Sequence, residues 1–368
     1  MTISDISNNK KTIMFYINTI GHGGAERVIL QLAEHFAKTG YNSILVTSFV
    51  DKGNENPVPE EVVRIPLEKE GKHQSFIKKN ITRIKKLRKL CVKYNPAVLI
   101  SFMGEPNFRS VLATKGLKTK TIISVRSDPH REYGGFVRKI LAKRLLPKAD
   151  GCVFQTEDQG KFFPVELQNK SKVIFNEVSE KFFNTNWNPQ NYIVTLGRLE
   201  NVKNHKLLIS SFNQIKSKFS DVNLFIYGEG NIKNELHDLI ERLQLKDRVI
   251  LKGQTDSPDR VLSNAKCFVL SSNQEGMPNA LMEALAVGVP CISTDCPCGG
   301  PRSLIKNGEN GILVPVGDVD AMAEALDKVL SNQEYAAELG RKGKESSKRF
   351  LPNVVFQQWN DYVEGIIS

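Results

Sequence analysis

The sequence lacks any apolar run near the roughly 18 residues that a membrane-spanning helix requires. It also lacks low-complexity tracts, and its 40% hydrophobic and 25% charged residues are typical of a globular protein. The N-terminal stretch leads into the strand-like segment TIMFYI without the end of a cleavable signal. We therefore expect a cytoplasmic, unprocessed chain, and its 368 residues predict two domains.

Cysteine is scarce, and the pattern expected for a metal site is missing. The six cysteines are irregularly spaced and mostly lie in apolar segments, which predicts reduced core thiols. A structural zinc site needs four ligands, and no second Cys or His pair matches CPCGGP. In GDVDA, Asp318 and Asp320 precede a helical pattern, so we interpret them as helix-capping residues rather than metal ligands. No metal and no cofactor are expected.

Short runs rich in Val, Ile and Phe alternate with helical patterns of ten or more residues, which indicates parallel α/β sheets. The expected strands are TIMFYI, NSILVTSF, AVLISF, TIISVR, DGCVFQT and KVIFN, and then YIVTLGR, NLFIYGEG, RVILKGQ, CFVLSSN and PCISTD. The polar stretch at 184–191 is interpreted as the linker. We predict two doubly wound, Rossmann-like domains facing across a cleft, over 1–185 and 186–352. The tail from about residue 335 is expected to be helical.

Two loops after predicted strands have the composition of phosphate sites. In GHGGAERV, Gly21, Gly23 and Gly24 lead into a helix, so backbone N–H groups there can approach an anion. A dinucleotide fingerprint would need glycine where Glu26 stands, which disfavours NAD, and a simple connecting turn remains an alternative. In GRLENVKNH, Arg198 and Lys203 precede a helix capped near Asn204, and the pair either clamps a diphosphate or is surface charge.

The stretch NQEGMPNALMEALAVGVP places one glutamate before an apolar helix and another inside it. Glu275 and Gly276 leave a predicted strand, and Pro278 suits the first turn of the helix. Glu283 can reach back towards the strand ends, where two carboxylate oxygens can accept both hydroxyls of a ribose. The Glu275 carboxylate can accept hydrogen bonds from the hydroxyl groups of a second sugar ring. The alternative for Glu283 is pairing with a buried cation or exposure to solvent.

These motifs carry a resemblance to the retaining GT-B glycosyltransferases of family 4, over nearly the whole chain. EGMPNALME resembles the E-x7-E signature, GHGGAERV the N-terminal glycine loop, and GRLENVKNH the Arg and Lys phosphate clamp. The resemblance implies that Arg198, Lys203 and Glu275 act on the donor diphosphate and sugar, and that Glu283 binds the UDP ribose. The binding residues that it implies are Gly23, Gly24, Arg198, Lys203, Glu275, Gly276, Met277, Pro278, Asn279 and Glu283. Of these, Gly23 and Gly24 are expected under the reacting phosphate or the acceptor.

Two positions depart from the family pattern. Many relatives have a histidine at the strand end equivalent to SVRSDPH, where this chain has Arg126 followed by Asp128 and His130. None of the three is assigned the role of that histidine. Pro278 stands where many members carry glycine, which resembles a subgroup common among bacterial capsule, O-antigen and glycan-assembly enzymes. In this family the last helix commonly crosses back to the first domain, which suits residues 353–368.

The net charge of +11 favours an anionic partner, which is nucleic acid, an acidic membrane or a phosphorylated substrate. Nine Lys or Arg and no acid lie between Lys72 and Lys93, with Ile77, Ile81, Ile84, Leu87 and Cys91 at helical spacing. This helix either docks on its own sheet with a solvated basic face or binds anionic lipid at the inner face of the cytoplasmic membrane. Nucleic acid is disfavoured, because no nucleic-acid-binding motif occurs.

The resemblance implies transfer of a hexose or N-acetylhexosamine from a UDP-sugar to a lipid-linked oligosaccharide, on a polyprenyl diphosphate, without a metal. Two other functions remain open at this stage. A UDP-sugar epimerase of similar architecture would change the sugar nucleotide without an acceptor. An inactive subunit of a glycan-assembly complex would bind UDP without turnover.

Overall fold

The computed structural model describes residues 10–21, 23–51, 53, 55–68 and 76–368. It divides into two compact units, the first running to Phe175 and including Phe356–Ser368, and the second spanning Asn176–Val355. Both are parallel α/β sheets, which confirms the predicted fold class. None of the helices in the described ranges combines the length and hydrophobicity needed to cross a membrane.

The first unit contains a seven-stranded parallel sheet in the order β3-β2-β1-β4-β5-β6-β7. Its strands are β1 (Thr12–Ile17), β2 (Asn42–Thr47), β3 (Val62–Pro66), β4 (Val98–Phe102), β5 (Lys120–Ser124), β6 (Gly151–Phe154) and β7 (Ser171–Val173). Its helices are α1 (Gly24–Lys38), α2 (Phe76–Tyr94), α3 (Gly104–Thr114), α4 (Pro129–Glu132), α5 (Phe136–Leu145), α6 (Glu157–Gly160) and α7 (Val165–Gln168). Strands β1, β2 and β4 are buried along their whole length, as expected for a sheet covered on both faces.

The second unit contains a six-stranded parallel sheet in the order β10-β9-β8-β11-β12-β13. Its strands are β8 (Tyr192–Leu196), β9 (Asn223–Tyr227), β10 (Val249–Gly253), β11 (Cys267–Leu270), β12 (Cys291–Thr294) and β13 (Ile312–Val314). Its helices are α8 (Glu180–Phe183), α9 (His205–Ile215), α10 (Lys233–Arg242), α11 (Pro258–Ser263), α12 (Asn279–Val287), α13 (Gly300–Leu304), α14 (Val319–Ser331) and α15 (Gln333–Ser347).

The last helix, α16 (Pro352–Ile367), ends the chain on the first unit. Trp359 is 1% exposed and its ring stacks near that of Phe102, with centroids 6.1 Å apart. The Tyr362 hydroxyl accepts a hydrogen bond from the Cys152 amide at 2.7 Å. Burial of an aromatic ring of this size is a large stabilising contribution, so the C-terminal segment is an integral part of the first unit.

The predicted linker at 184–191 is wrong, because this stretch packs on the second unit. The indole of Trp187 packs against the core of that unit and donates to the Ala265 carbonyl at 2.7 Å. The Asn188 and Gln190 amides donate to the Ser263 and Asn264 carbonyls. The contacts thus divide the chain after Phe175, whereas the sequence places the boundary after residue 185.

Candidate functional site

In each sheet the strand order reverses at one point, between β1 and β4 in the first and between β8 and β11 in the second. Ligands of such sheets bind outside the carboxyl ends of the strands at that reversal. In the second unit, the segments that leave these two strands are 197–204 and 271–278. They contain Arg198, Lys203 and Glu275, so the fold brings the predicted donor residues to the expected edge.

The segment after β8 is held by close backbone packing against the segment after β9. Gly228 has a φ of 143°, and a Cβ there would lie 1.9 Å from the Gly197 carbonyl oxygen. Leu199 donates to the Glu229 carbonyl at 2.9 Å. The YGEG stretch therefore requires glycine at position 228, which fixes the loop that carries Arg198.

The predicted phosphate clamp is divided between two ion pairs. Lys203 Nζ lies 2.6 Å from Glu275 Oε1, and both side chains are largely buried. The Arg198 guanidinium is 72% exposed and pairs with Glu200 at 2.7 Å. The structure therefore joins Lys203 to Glu275 across the strand reversal, and it places the Arg198 side chain against a different carboxylate.

Glu275 has a second polar contact. The Ser272 hydroxyl donates to Glu275 Oε1 at 2.6 Å, the same oxygen that faces Lys203. Because both donors engage one oxygen, the carboxylate is held in a single orientation while Oε2 stays out of these two bonds. The sequence predicted the cation and the carboxylate separately, but nothing in it indicated that they pair.

The residues between Glu275 and α12 form a tight turn against α13. A Cβ on Gly300 would lie 2.3 Å from the Gly276 carbonyl oxygen, so the CPCGGP stretch supports this turn. Pro278 is the N-cap of α12, one residue before the position expected for it, and Met277 is 8% exposed. Asn279, the first helical residue, accepts a hydrogen bond from Asn176 at 2.6 Å.

Glu283 is buried, at 7% exposure, on the otherwise apolar helix α12. The sequence predicted a buried carboxylate on the helix that follows β11, and the structure confirms both its burial and its helix. Its assignment to a ribose stays a prediction.

His205 is a site residue that the sequence did not reveal, because a single histidine forms no recognisable pattern. It is 1% exposed, and Nε2 lies 3.1 Å from the Arg198 carbonyl oxygen. Burial, opposed in part by this backbone hydrogen bond, lowers its pKa to about 4. A neutral imidazole therefore supports the Arg198 loop. Asn204 caps α9 as predicted, with its side chain accepting from the Leu207 amide.

In the first unit, the segment after β1 contains the glycine loop. Gly23 is the N-cap of α1 and Gly24 its first residue, and both are exposed. His22 lies outside the described residues. The exposed helix start fits the predicted approach of an anion, and contact with a ligand remains a prediction.

The three residues in place of the family histidine make structural contacts. The Arg126 guanidinium carbon lies 3.8 Å from the Phe102 ring centroid and 5.7 Å from that of Trp359, and burial lowers its pKa to about 9. Asp128 caps α4 by accepting from the His130 amide at 2.8 Å.

A buried polar network was missed at the reversal point of the first sheet. Arg109, 2% exposed, donates to Asn80 of α2 at 2.7 Å and to Asn18 at the end of β1 at 2.8 Å. Its second Nη pairs with Glu105 at 2.5 Å. The spacing of Glu105 and Arg109, one helical turn apart, was the available signal. The network ties α2 and α3 to the end of β1.

Asp318 has the capping role predicted for both aspartates of the D-x-D stretch, whereas Asp320 binds a side chain of α9. Asp318 is the N-cap of α14 and accepts from the Ala321 amide at 2.9 Å, and Asp320 accepts from Gln214 at 2.7 Å. Both carboxylates therefore have protein partners that account for their positions.

The fold and the site define a class of protein. HepE of Anabaena, solved in complex with UDP, superposes with a TM-score of 0.81 over 96% of this chain and 100% of its own, at 16% identity. Sucrose-phosphate synthase of Thermosynechococcus elongatus gives a TM-score of 0.82 over 97% and 99%, at 18% identity. The chain has the GT-B fold.

The family follows from the sequence matches. The model described as Glycosyltransferase Family 4 matches residues 22–174, and the one described as Glycosyl transferases group 1 matches residues 177–346. The chain belongs to the family 4 glycosyltransferases, and it is a glycosyltransferase.

Two relatives in Campylobacter jejuni match along most of their length. One is the N-acetylgalactosamine-N,N'-diacetylbacillosaminyl-diphospho-undecaprenol 4-alpha-N-acetylgalactosaminyltransferase, 28% identical over 91% of this chain and 94% of its own. The other is the GalNAc-alpha-(1->4)-GalNAc-alpha-(1->3)-diNAcBac-PP-undecaprenol alpha-1,4-N-acetyl-D-galactosaminyltransferase, 27% identical over 94% and 96%. Both names describe transfer to a glycan on an undecaprenyl diphosphate.

Proposed function

We propose that this glycosyltransferase moves a hexose or N-acetylhexosamine, with retention, from a UDP-sugar to a hydroxyl of a polyprenyl-diphosphate-linked bacterial surface glycan. The observation that carries the proposal is the Lys203–Glu275 pair at the strand reversal, followed by the buried Glu283 on α12. The Lys203 cation suits the diphosphate, and the fixed Glu275 carboxylate suits the sugar. The buried Glu283 carboxylate suits the ribose. The names of the two Campylobacter relatives support the class of acceptor.

The chemistry proposed for these residues is the stabilisation of a leaving diphosphate. As the bond between sugar and phosphate breaks, negative charge grows on UDP, and Lys203 and Arg198 oppose it. The acceptor hydroxyl attacks the face from which UDP departs, and its proton passes to the departing phosphate oxygen. Glu275 orients the sugar through its hydroxyl groups. In this proposal the two side-chain cations carry out the neutralisation, so no metal is required.

Because the proposed acceptor is a lipid, we propose that the enzyme acts at the inner face of the cytoplasmic membrane. Helix α2 carries eight Lys or Arg and no acid. One end of its apolar stripe is buried and the other end is exposed. Leu87 and Cys91 are buried in the core, whereas Ile77 and Ile81 are 72% and 49% exposed. The buried end docks the helix on its own sheet, and we propose that the exposed end and the basic residues bind anionic lipid.

The experiment is release of UDP from a panel of UDP-hexoses and UDP-N-acetylhexosamines in EDTA, with and without a polyprenyl-diphosphate-linked oligosaccharide. The proposal expects release for one donor, dependent on the acceptor, with the anomeric configuration of the donor kept in the product. A changed sugar nucleotide without an acceptor would indicate an epimerase. Binding of UDP without release from any donor would indicate an inactive subunit, and activity lost in EDTA would contradict the metal-free mechanism.

A variant pair tests the residues named. Lys203→Met removes the cation that faces Glu275, and transfer should fall by about a hundredfold or more. Lys206→Met is the control, because Lys206 is exposed at the start of α9 and pairs with Glu235. Equal activity of the two variants would remove Lys203 from the mechanism.

A further inference from the structure

The first unit contains a groove that the proposed donor chemistry does not use. It lies among helices α2, α3 and α5 and has a volume of about 370 Å³, within the range of small-molecule sites. Its apolar lining consists of Ile84, Met103, Phe108, Leu112, Leu141 and Leu145. Phe108 and Leu112 of α3 lie one helical turn apart, as do Leu141 and Leu145 of α5, so each of these helices turns an apolar stripe towards the groove, and α2 adds Ile84.

The apolar stripes continue out of the groove onto the surface. Seven of the nine exposed large apolar side chains in the described chain belong to α2, α3 and α5. On α2, Ile77 and Ile81 precede the lining residue Ile84 on the same helical face. On α5, Val137 is 68% exposed one turn before Leu141. Contiguous exposed apolar surface of this kind marks a binding site.

Two strongly basic helices flank the groove. Helices α2 and α5 together hold twelve Lys or Arg and no Asp or Glu. Within the groove, Arg138 is 53% exposed and lies 3.6 Å from Glu105, whose other oxygen pairs with the buried Arg109. Glu132 accepts from the Gly104 amide and the Ser127 hydroxyl, so its carboxylate is satisfied by the protein. The charged side chains that line the groove thus have protein partners, and the excess positive charge lies on the two helices that flank it.

The inner end of the groove lies at the reversal point of the first sheet. Asn18 follows β1, while Met103 and Gly104 follow β4, and all three line the groove. Met103 has a φ of 77°, a conformation that side-chain-bearing residues rarely adopt and that is often found at functional sites. The groove therefore runs from the ligand edge of the sheet outwards between the helices.

We infer that this groove binds the first isoprene units of the polyprenyl diphosphate acceptor. The inference rests on the proposed function, and adds to it a site for a single lipid chain, distinct from attraction to a bilayer surface. An apolar groove flanked by two basic helices complements an isoprenoid chain with an anionic diphosphate head. A groove that reaches the ligand edge of the sheet holds the reacting end of the lipid at a fixed distance from it.

The test uses the full chain and farnesyl diphosphate as a soluble probe, with inorganic diphosphate and anionic vesicles as comparisons. Farnesyl diphosphate should bind at least about tenfold more tightly than inorganic diphosphate, because the chain buries its apolar surface. Equal affinities would overturn the inference. Binding to anionic vesicles but not to farnesyl diphosphate would also overturn it, because the lipid would then be recognised only as a surface.

Variants separate the groove from the rest of the surface. Leu112→Glu and Leu141→Glu change residues that are 40% and 46% exposed, so the fold should tolerate them. Each should weaken farnesyl diphosphate binding by about tenfold and leave UDP binding unchanged. Val165→Glu on α7, at a site 63% exposed and outside the groove, is the matched control. Equal effects of Leu141→Glu and Val165→Glu would overturn the assignment.

The two proposals fail in different ways. Acceptor-dependent UDP release by a protein that does not bind farnesyl diphosphate would overturn the groove assignment alone. If farnesyl diphosphate binds tightly and Leu112→Glu and Leu141→Glu do not weaken the binding, the isoprenoid binds outside this groove and the assignment is overturned. Absence of UDP release from every donor and acceptor would overturn the proposed function, and with it the acceptor role of the groove.

Discussion

At the scale of single residues, Glu283 is the most informative side chain, because burying a carboxylate on an apolar helix costs desolvation free energy. Glu283→Gln keeps the shape but replaces one acceptor oxygen with a donor. If the carboxylate accepts both ribose hydroxyls, UDP affinity should fall by about tenfold or more, as measured by calorimetric titration.

The matched control for this variant is Glu324→Gln, an exposed position on α14. It should bind UDP with the affinity of the unmodified protein. If Glu283→Gln binds UDP with unchanged affinity and has an unchanged midpoint of thermal unfolding, the ribose assignment is wrong.

His205 gives a prediction about pH. Its pKa is lowered from 6.5 to about 4, so between these values the unfolded chain binds a proton that the folded chain does not. Its contribution to the free energy of unfolding is therefore complete above pH 6.5 and is lost as the pH falls towards 4. A shift of this size corresponds to up to about 3 kcal/mol.

The comparison is with His205→Gln, which lacks the titrating group. As the pH falls from 6.5 to about 4, the midpoint of thermal unfolding should drop more steeply in the unmodified protein than in the variant. All other titratable groups are the same in the two proteins. Parallel pH profiles would show that His205 does not lose a proton on folding.

Residue-level contacts were the part of the site that the sequence predicted least well. The motifs placed Arg198, Lys203 and Glu275 on neighbouring loops, because the carboxyl ends of parallel strands meet at one edge. They did not indicate that Lys203 would pair with Glu275 and Arg198 with Glu200, since such choices depend on local packing. The Arg109 network was missed for the same reason, because its partners come from distant parts of the chain.

At the scale of elements, the C-terminal helix gives the clearest prediction. Trp359→Ala removes a ring that is 1% exposed and stacked on Phe102, which should destabilise the first unit by about 3 to 5 kcal/mol. Tyr362→Phe removes the hydroxyl that accepts from the Cys152 amide, which also donates to the Lys170 carbonyl at 3.2 Å, so the loss of this hydrogen bond should cost about 1 kcal/mol. Thermal unfolding measures both effects.

Asp361→Ala is the control on the same helix, because Asp361 is exposed and contacts Gln357. Its midpoint should match that of the unmodified protein. UDP binding at a temperature below all the transitions reports on the second unit, and it should stay unchanged in the three variants. A Trp359→Ala protein as stable as Asp361→Ala would show that the C-terminal segment is dispensable.

The elements themselves were largely predictable, and the failures have physical causes. The central strands are continuous apolar runs, which sequence patterns detect well. The sequence missed β3 and β13, both at sheet edges, where a strand needs less apolar character. Strand β3 ends in Pro66 and contains Arg64, and β13 has only three residues. The false linker looked polar because its one apolar anchor, Trp187, stands among Asn, Thr and Pro residues.

At the scale of the whole molecule, the net charge of +11 is located in two helices. Helices α2 and α5 hold twelve of the 51 Lys and Arg, which leaves 39 basic residues against 40 Asp and Glu in the rest of the chain. A chain that is otherwise close to neutral has thus concentrated its excess charge on the helices that form the groove. Such a patch attracts anionic surfaces over about a Debye length.

We therefore expect binding to phosphatidylglycerol vesicles, measured by co-sedimentation, that falls steeply as salt rises from about 0.05 M to about 0.5 M. Lys85→Glu with Lys89→Glu reverses two exposed charges on α2 and should weaken binding by at least about tenfold, because each basic residue near the surface contributes about 1 kcal/mol. Lys306→Glu with Lys348→Glu makes the same change in net charge in the second unit, at positions 77% and 61% exposed. If the placement of charge on α2 governs binding, only the first pair has this effect, whereas equal losses would mean that net charge alone attracts the protein to lipid.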